Sequence, residues 1–480
     1  MPIESTVDEG SSWITDYFQT TPIMSTYLLA FVIADFRSRE KDDNGFRIRI
    51  WAQPDMYDQT SYALEFASKT YRFFADYFGR PEIVPKADHV AVPDFSAGAM
   101  ENWGLVLYRE IALLHDEEVS SISNKYWVSL IQAHEIAHTW FGNMVTMEWW
   151  DDLWLNEGFA NTLMYFALDD IYPNWKVFDL QVVGNVFPVM TKDSLLTSHP
   201  ISAPINHPDD ITQYFDSISY DKGMAVLRLL RGFLGWDDFR RGLQNYVNKY
   251  IFSNAKMKDL WKTFEEAVDQ KHEVAEIMDT WTRQMGFPVV TVKKIGKNKY
   301  RLDQSRFLLN PEDKYDKNSS PYQNTYTVHK TITVPRGIHT QSTKQSPSQQ
   351  EYIHSPQNSH RPNKNTYTVH KTVTVQTATI HAPDGSWILG NIDYMGFYRT
   401  NYDEDMWRRL ADQLHRDHTV FPTANRAGLI SDAFNLARQW DATDWWHAAE
   451  VASNLGDSGK VSLLWQLQKF SAAKSITKRD

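Results

Sequence analysis

The segment QAHEIAHTWFG, residues 132–142, sets His134 and His138 four positions apart, with Glu135 beside the first. At about 100° per residue, an α-helix returns both imidazoles to one face, a single turn apart. Two nitrogens so placed can share one tetrahedral zinc. Glu135, one step round the helix, can reach a metal-activated water without coordinating the ion itself. The same residues also fit an ordinary helix with three polar side chains, so the spacing alone leaves both readings open.

A hydrolytic zinc wants three protein ligands and one open position. The stretch WWDDLWLNEGFANTL supplies Glu157, 19 residues after His138, at the start of a second helical pattern. A helix packed beside the first could bring that carboxylate to the same ion. A glutamate in a first helical turn is also favoured by the helix dipole without any metal. The histidine pair tips the balance toward a ligand.

Further motifs stand in order along the chain: GAMENWG at 98–104, HEIAHTWFGN at 134–143, WLNEGFA at 154–160 and SYDKG at 219–223. Together they resemble the gluzincin zinc aminopeptidase family, the family of aminopeptidase N and puromycin-sensitive aminopeptidase. The similarity runs from about residue 21 to 286 and continues more weakly through GFYRTNYD, 396–403, to the C-terminus. The resemblance implies that His134, His138 and Glu157 hold one Zn²⁺ per chain and that Glu135 is the general base. It implies that Tyr220 donates its phenolic hydrogen to the oxyanion of a tetrahedral intermediate, where negative charge develops. It also implies that Glu101 pairs with the free α-ammonium of a peptide, which makes the activity one that trims ends. On the same resemblance, Gly98, Ala99 and Asn102 lie along the substrate, Met100 lines the pocket for its first side chain, and Ala97 points to neutral residues. The implied partners are therefore peptides with a free N-terminus.

The elements that must position these residues are read from pattern. The 480 residues include 42% apolar types, with 18 Trp, 23 Tyr and 25 Phe, a globular composition large enough for several domains. A net charge of −11, with no dense basic cluster, argues against a nucleic-acid partner. No cysteine is present, so disulfides and thiolate metal sites are excluded. Residues 1–21 read as polar and irregular. The runs YLLAFVIADF (27–36) and FRIRIWA (46–52) read as strands, as do segments within 87–95 and 101–110. Helical patterns follow at 61–79, 123–141, 154–168, 221–233, 236–250 and 257–285. His115, His199 and His207 fall outside any ligand spacing and read as surface or loop residues.

Beyond residue 287 the pattern changes to alternating strands around a Gly-Lys-Asn turn. A polar stretch at about 335–364 cannot bury enough apolar surface to fold alone. It is flanked by NTYTVHKTITV (324–334) and NTYTVHKTVTV (365–375), which differ at one of eleven positions. Only one copy is expected to occupy the sheet position that both encode. From 405 onward the pattern is amphipathic helix.

The expected architecture is a multidomain α+β chain. A remnant of an N-terminal β domain (1–21) precedes a thermolysin-like zinc catalytic domain (22–286). A small β-sandwich (287–402) carrying the polar insert comes next, then the start of an α-helical domain (403–480). Compared with the family pattern, the chain reads as truncated at both ends. The expected activity is a zinc metallo-aminopeptidase. The alternatives are a catalytically weak fragment that binds peptides or a partner and, third, a zinc endopeptidase, which GAMEN discourages. The resemblance allows a homodimer through a completed C-terminal domain. Family relatives lie at the plasma membrane facing outside, in the extracellular space or in the cytoplasm. No signal peptide or membrane-spanning run is legible here, and the compartment stays open.

Overall fold

The computed structural model describes residues 1–268, 273–310, 312–316, 322, 325–335, 366–373, 377–382 and 384–437. The polar stretch after residue 335 and the amphipathic pattern after 437 lie outside them. Two compact units emerge. The first comprises Met1–Phe178, Ser202–Leu227 and Leu234–Ala275; the second comprises Asp179–Ile201, Arg228–Phe233 and Glu276–Asp480.

The first unit is built on a five-stranded sheet in the order Arg37–Asp43, Phe46–Ala52, Lys86–Val92, Leu105–Arg109, Ala99–Met100. The inner pairs are parallel and both edge pairs antiparallel. Phe46–Ala52 buries Ile48, Ile50 and Ala52 on one face while Arg47 stays out, the period-two pattern of a strand. Lys86–Val92 is buried almost throughout, as a central parallel strand covered on both faces must be. Helix Ser61–Phe78 packs behind, stopped by Gly79 at φ 63°, a left-handed cap that favours glycine.

Two helices carry the motifs. Ile122–Ala137, here the histidine helix, starts at Ser121, whose side chain accepts from the Asn124 amide. Trp154–Ile171, the glutamate helix, is buried on every side from Trp154 to Leu168 and packs along the first. An apolar surface all round marks a helix at the centre of a core. The chain between them turns through Gly142 (φ 136°) and forms strand Val145–Met147, paired in parallel with Ser253–Ala255.

Several elements differ from the sequence reading. Residues 1–21 are not irregular: Ile3–Gly10 and Trp13–Phe18 form an antiparallel hairpin. The run at 27–36 is not a strand. Thr26–Leu28 is a 3₁₀ turn, and the residues after it leave Leu29, Phe31 and Ile33 71%, 84% and 92% exposed. The 257–285 pattern holds two helices, Met257–Ala267 and Val274–Thr282. His115 is in a loop but is buried, its Nδ1 2.7 Å from Asn124 Oδ1, because Tyr62 packs against the ring.

In the second unit, one sheet runs Thr377–His381, Lys299–Arg306, Pro288–Gly296, Arg399–Tyr402. Another runs Thr366–Val373, Val328–Pro335, Leu389–Gly390. The repeated segments therefore pair with one another, Val328 opposite Val373 and Pro335 opposite Thr366. The first copy takes the central place and the second forms the edge. Helices Glu404–Asp417 and Thr423–Ala437 follow. Among the described residues no helix is long and apolar enough to cross a membrane.

Candidate metal centre and catalytic site

The histidine helix delivers His134 and His138 to one face, their Nε2 atoms 3.0 Å apart. Glu157 enters from the first turn of the glutamate helix, with Oε2 3.2 Å from His134 Nε2 and 3.3 Å from His138 Nε2. Three donors thus form a nearly equilateral triangle, all of them buried. Ligands about 2.0–2.1 Å from a tetrahedral zinc stand roughly 3.3–3.4 Å from one another. The triangle is that size to within a few tenths of an ångström, and two imidazoles with one carboxylate are donors zinc accepts. The residues present fit the ion.

The surroundings orient the donors. His138 Nδ1 lies 2.9 Å from the Phe141 carbonyl, to which it donates, leaving Nε2 to face the triangle. Gly142 shapes this turn: a Cβ on it would stand 3.1 Å from His138 Nδ1. Glu135 is buried, and its Oε2 has no hydrogen-bond partner among the described residues. A buried carboxylate oxygen without a partner is costly, and a carboxylate oxygen of Glu135 lies within 4.8 Å of ligand atoms on His138 and Glu101.

Electrostatics report the same demand for a cation. Burial alone pushes His138 down, but Glu101, Glu157 and Glu135 outweigh it and hold the imidazole up at about 10. Burial and the charge on His138 push His134 down, although Glu157 pulls the other way. Burial would raise Glu157, yet His138 and His134 hold its carboxyl well below the usual range. Burial, reinforced by Glu101 and Glu157, pushes Glu135 well above it. Without a metal, the neighbouring carboxylates, Glu101 and Glu157 foremost, hold a proton on His138; a divalent ion would supply that charge instead.

Tyr220 sits in a π-helical turn, Ile218–Lys222, a distortion common at functional sites. Its ring stacks on His134 at 6.0 Å and 7°. Burial and the surrounding carboxylates push the phenol far up, so it keeps its proton. The approach depends on two glycines, because a Cβ on Gly158 would lie 3.2 Å from the Gly223 Cα.

Glu101 is buried beside the triangle, Oε1 4.0 Å from His138 Nδ1. Its backbone carbonyl accepts from Asn143 Nδ2 at 3.0 Å. Ala99–Met100 is the edge strand of the sheet, half-buried, with Gly98 exposed before it. Asn102 is buried, donating from Nδ2 to the Leu28 carbonyl at 3.2 Å. The fold therefore gathers His134, His138, Glu157, Glu135, Glu101 and Tyr220, with residues 98–100 along an open strand edge. The sequence reading missed Tyr27 and Asn143, which contact this group, and Asn156, which contacts Tyr27. Both asparagines stand inside the quoted motifs, so a signal was present; Tyr27 was hidden in a run that reads as a strand.

Fold and donor set together are those of a metallopeptidase domain. Residues 62–281 match the peptidase family M1 domain, and residues 387–443 match the ERAP1-like C-terminal domain. The chain is 42% identical over 440 residues to human aminopeptidase N, an alignment covering 89% of this chain and 42% of the relative. Aminopeptidase A of Gloydius brevicauda is 40% identical, with 91% and 43% covered, as is chicken aminopeptidase Ey, also with 91% and 43% covered. The chain thus spans less than half the length of these curated relatives. Its residues 62–281 carry a peptidase family M1 domain, and across most of its length the chain is similar to aminopeptidase N.

Proposed function

We propose that the chain is the catalytic portion of a zinc metallo-aminopeptidase releasing N-terminal, preferentially neutral, amino acids from peptides. The observation that carries this reading is the 3.0–3.3 Å triangle of His134, His138 and Glu157, with the partnerless Glu135 oxygen and Glu101 beside it. His134, His138 and Glu157 would hold one zinc. When bound, the ion supplies Lewis-acid activation of water at neutral pH. Glu135 takes the proton from the attacking water and passes it to the departing amine. Tyr220 donates its phenolic hydrogen to the scissile oxygen as negative charge grows there. Glu101 pairs with the α-ammonium and sets the first peptide bond in place. The edge strand 99–100, with Gly98 before it, aligns the peptide backbone, in the manner of strand addition. Half-buried Met100 faces the first side chain, Asn102 braces the segment, and Ala97 leaves room for neutral residues. The domain arrangement proposed is a thermolysin-like domain over 22–286, a β-sandwich over 287–402 and the opening of a helical domain from 403.

The test is release of amino acid from an unblocked aminoacyl-anilide by the zinc-loaded chain. Release from the free but not the acetylated substrate supports the reading, whereas internal cleavage of blocked peptides would establish an endopeptidase. A second reading, a chain that binds peptides or a partner and turns over poorly, is favoured by exposed Trp13, Phe31 and Ile33. It predicts binding without release.

A further inference from the structure

The phenol oxygen of Tyr27 has no place in the roles above, yet it stands between the two sides of the site. Its hydroxyl donates to Glu101 Oε1 at 3.5 Å and accepts from Asn156 Nδ2 at 3.1 Å. Asn156, 1% exposed, accepts in turn at Oδ1 from the Met147 amide at 3.4 Å. That contact assigns the amide: its oxygen is engaged by a backbone donor, so its nitrogen is what faces Tyr27. A nitrogen there can only donate, so the tyrosine oxygen accepts and its own hydrogen points away, toward Glu101. The turn Thr26–Leu28 is tied down on both sides of the tyrosine. Leu28 takes the Asn102 amide through its carbonyl at 3.2 Å, and Ser25 Oγ reaches Thr146 Oγ1 at 3.3 Å. The Tyr27 ring rests on Trp150, 5.9 Å between centroids.

Glu101 needs such a brace. It is buried, with a carboxylate oxygen within 4.8 Å of one on Glu135, and like-charge repulsion there would turn its carboxylate away. A hydrogen bond donated to the anion opposes that rotation.

We infer that Tyr27 is a positioning residue: oriented by Asn156, its hydroxyl holds the Glu101 carboxylate toward the incoming substrate ammonium. This rests on the reading of Glu101 as the amine anchor. The residue touches no reacting atom. Its effect falls on ground-state binding of the amine and leaves the later proton transfers, made by other groups, in place.

The experiment compares the zinc-loaded 480-residue chain with Tyr27→Phe, which removes one oxygen and keeps the ring. KM for a free-amine anilide should rise about tenfold, the loss of one hydrogen bond to a charged group. The kcat should stay within about twofold, since an interaction made equally in ground and transition states moves KM alone. Zinc stoichiometry and melting temperature should be unchanged. Asn156→Asp presents an oxygen where the Nδ2 donor was and draws the Tyr27 hydrogen away, so KM should rise again. The double variant should be no worse than the single ones, because both act through one hydrogen bond. Calorimetry with an amino-acid amide and its acetylated form separates the two layers of argument. An unmodified chain that binds both forms equally overturns the amine anchor and this inference with it. An unmodified chain that prefers the free amine, beside variants that prefer it as strongly, overturns the role of Tyr27 alone. A fall in kcat at constant KM also overturns it.

Discussion

Gly158 and Gly223 meet backbone to backbone: a Cβ built on either would stand 3.2 Å from the Cα of the other. Gly158 follows Glu157 directly, and Gly223 closes the π-turn that carries Tyr220. The contact therefore sets how near the phenol comes to the metal triangle.

Gly158→Ala should force these segments apart, at a stability loss of about 1–3 kcal/mol, as for an overpacked core. The Tyr220 hydroxyl should move away from the reacting oxygen, so kcat should fall toward that of Tyr220→Phe, about 10²-fold below the parent. Denaturant titration and initial-rate kinetics on both variants check this. A Gly158→Ala chain with the parent kcat would show that the glycine pair does not set the tyrosine's position.

Glu135→Gln keeps the size of the side chain and removes its basicity. Zinc content should stay at one per chain, since the ligand triangle is untouched, while kcat falls about 10²- to 10⁴-fold. Metal analysis alongside the anilide assay distinguishes this from loss of the ion.

The metal-free chain should lose stability as the pH rises from 6.5 toward about 10. His138 is held up at about 10 against its ordinary 6.5. A folded-state pKa above the unfolded value stabilises fully below 6.5, and that contribution disappears as the proton leaves through the folded pKa. Zinc replaces the proton, so the zinc-loaded chain should lack this slope, and zinc binding near pH 8 should release about one proton from the site. Chemical denaturation across the pH range and calorimetry in buffers of different ionisation enthalpy measure the two effects.

Zinc at about a thousand times its dissociation constant should stabilise the chain by about 4 kcal/mol, because it binds the assembled triangle and not the unfolded chain. Glu157→Ala should abolish that increment, leaving two imidazoles with no third donor. Unfolding midpoints with and without a chelator read it directly. An unchanged increment in Glu157→Ala would remove Glu157 from the ligand set.

How much of this was legible in the sequence depended on whether a signal was local. The four-residue histidine spacing is helical periodicity, and it placed both rings correctly. Glu157 had no local signal; only its surrounding motif singled it out, because helix packing brings it across. Tyr27 was not found. Its run is rich in the apolar, β-branched and aromatic types of a strand, yet Leu29, Phe31 and Ile33 are exposed, and a 3₁₀ turn aims the phenol inward. The hairpin at residues 3–18 was missed because few apolar residues alternate there and its pairing is made by the backbone. His115 lies in a loop, as its spacing suggests, but its burial beside Tyr62 follows from tertiary packing, which spacing does not encode.

Two imidazoles on one rod and a carboxylate on another make the centre a gauge of alignment. Sliding either rod by one residue moves its donor about 1.5 Å, far beyond the roughly 0.2 Å that coordination distances tolerate. Ion occupancy would therefore read out the seating of two long helices through a handful of atoms. A substitution far along the glutamate helix can silence the centre while leaving all three donors intact.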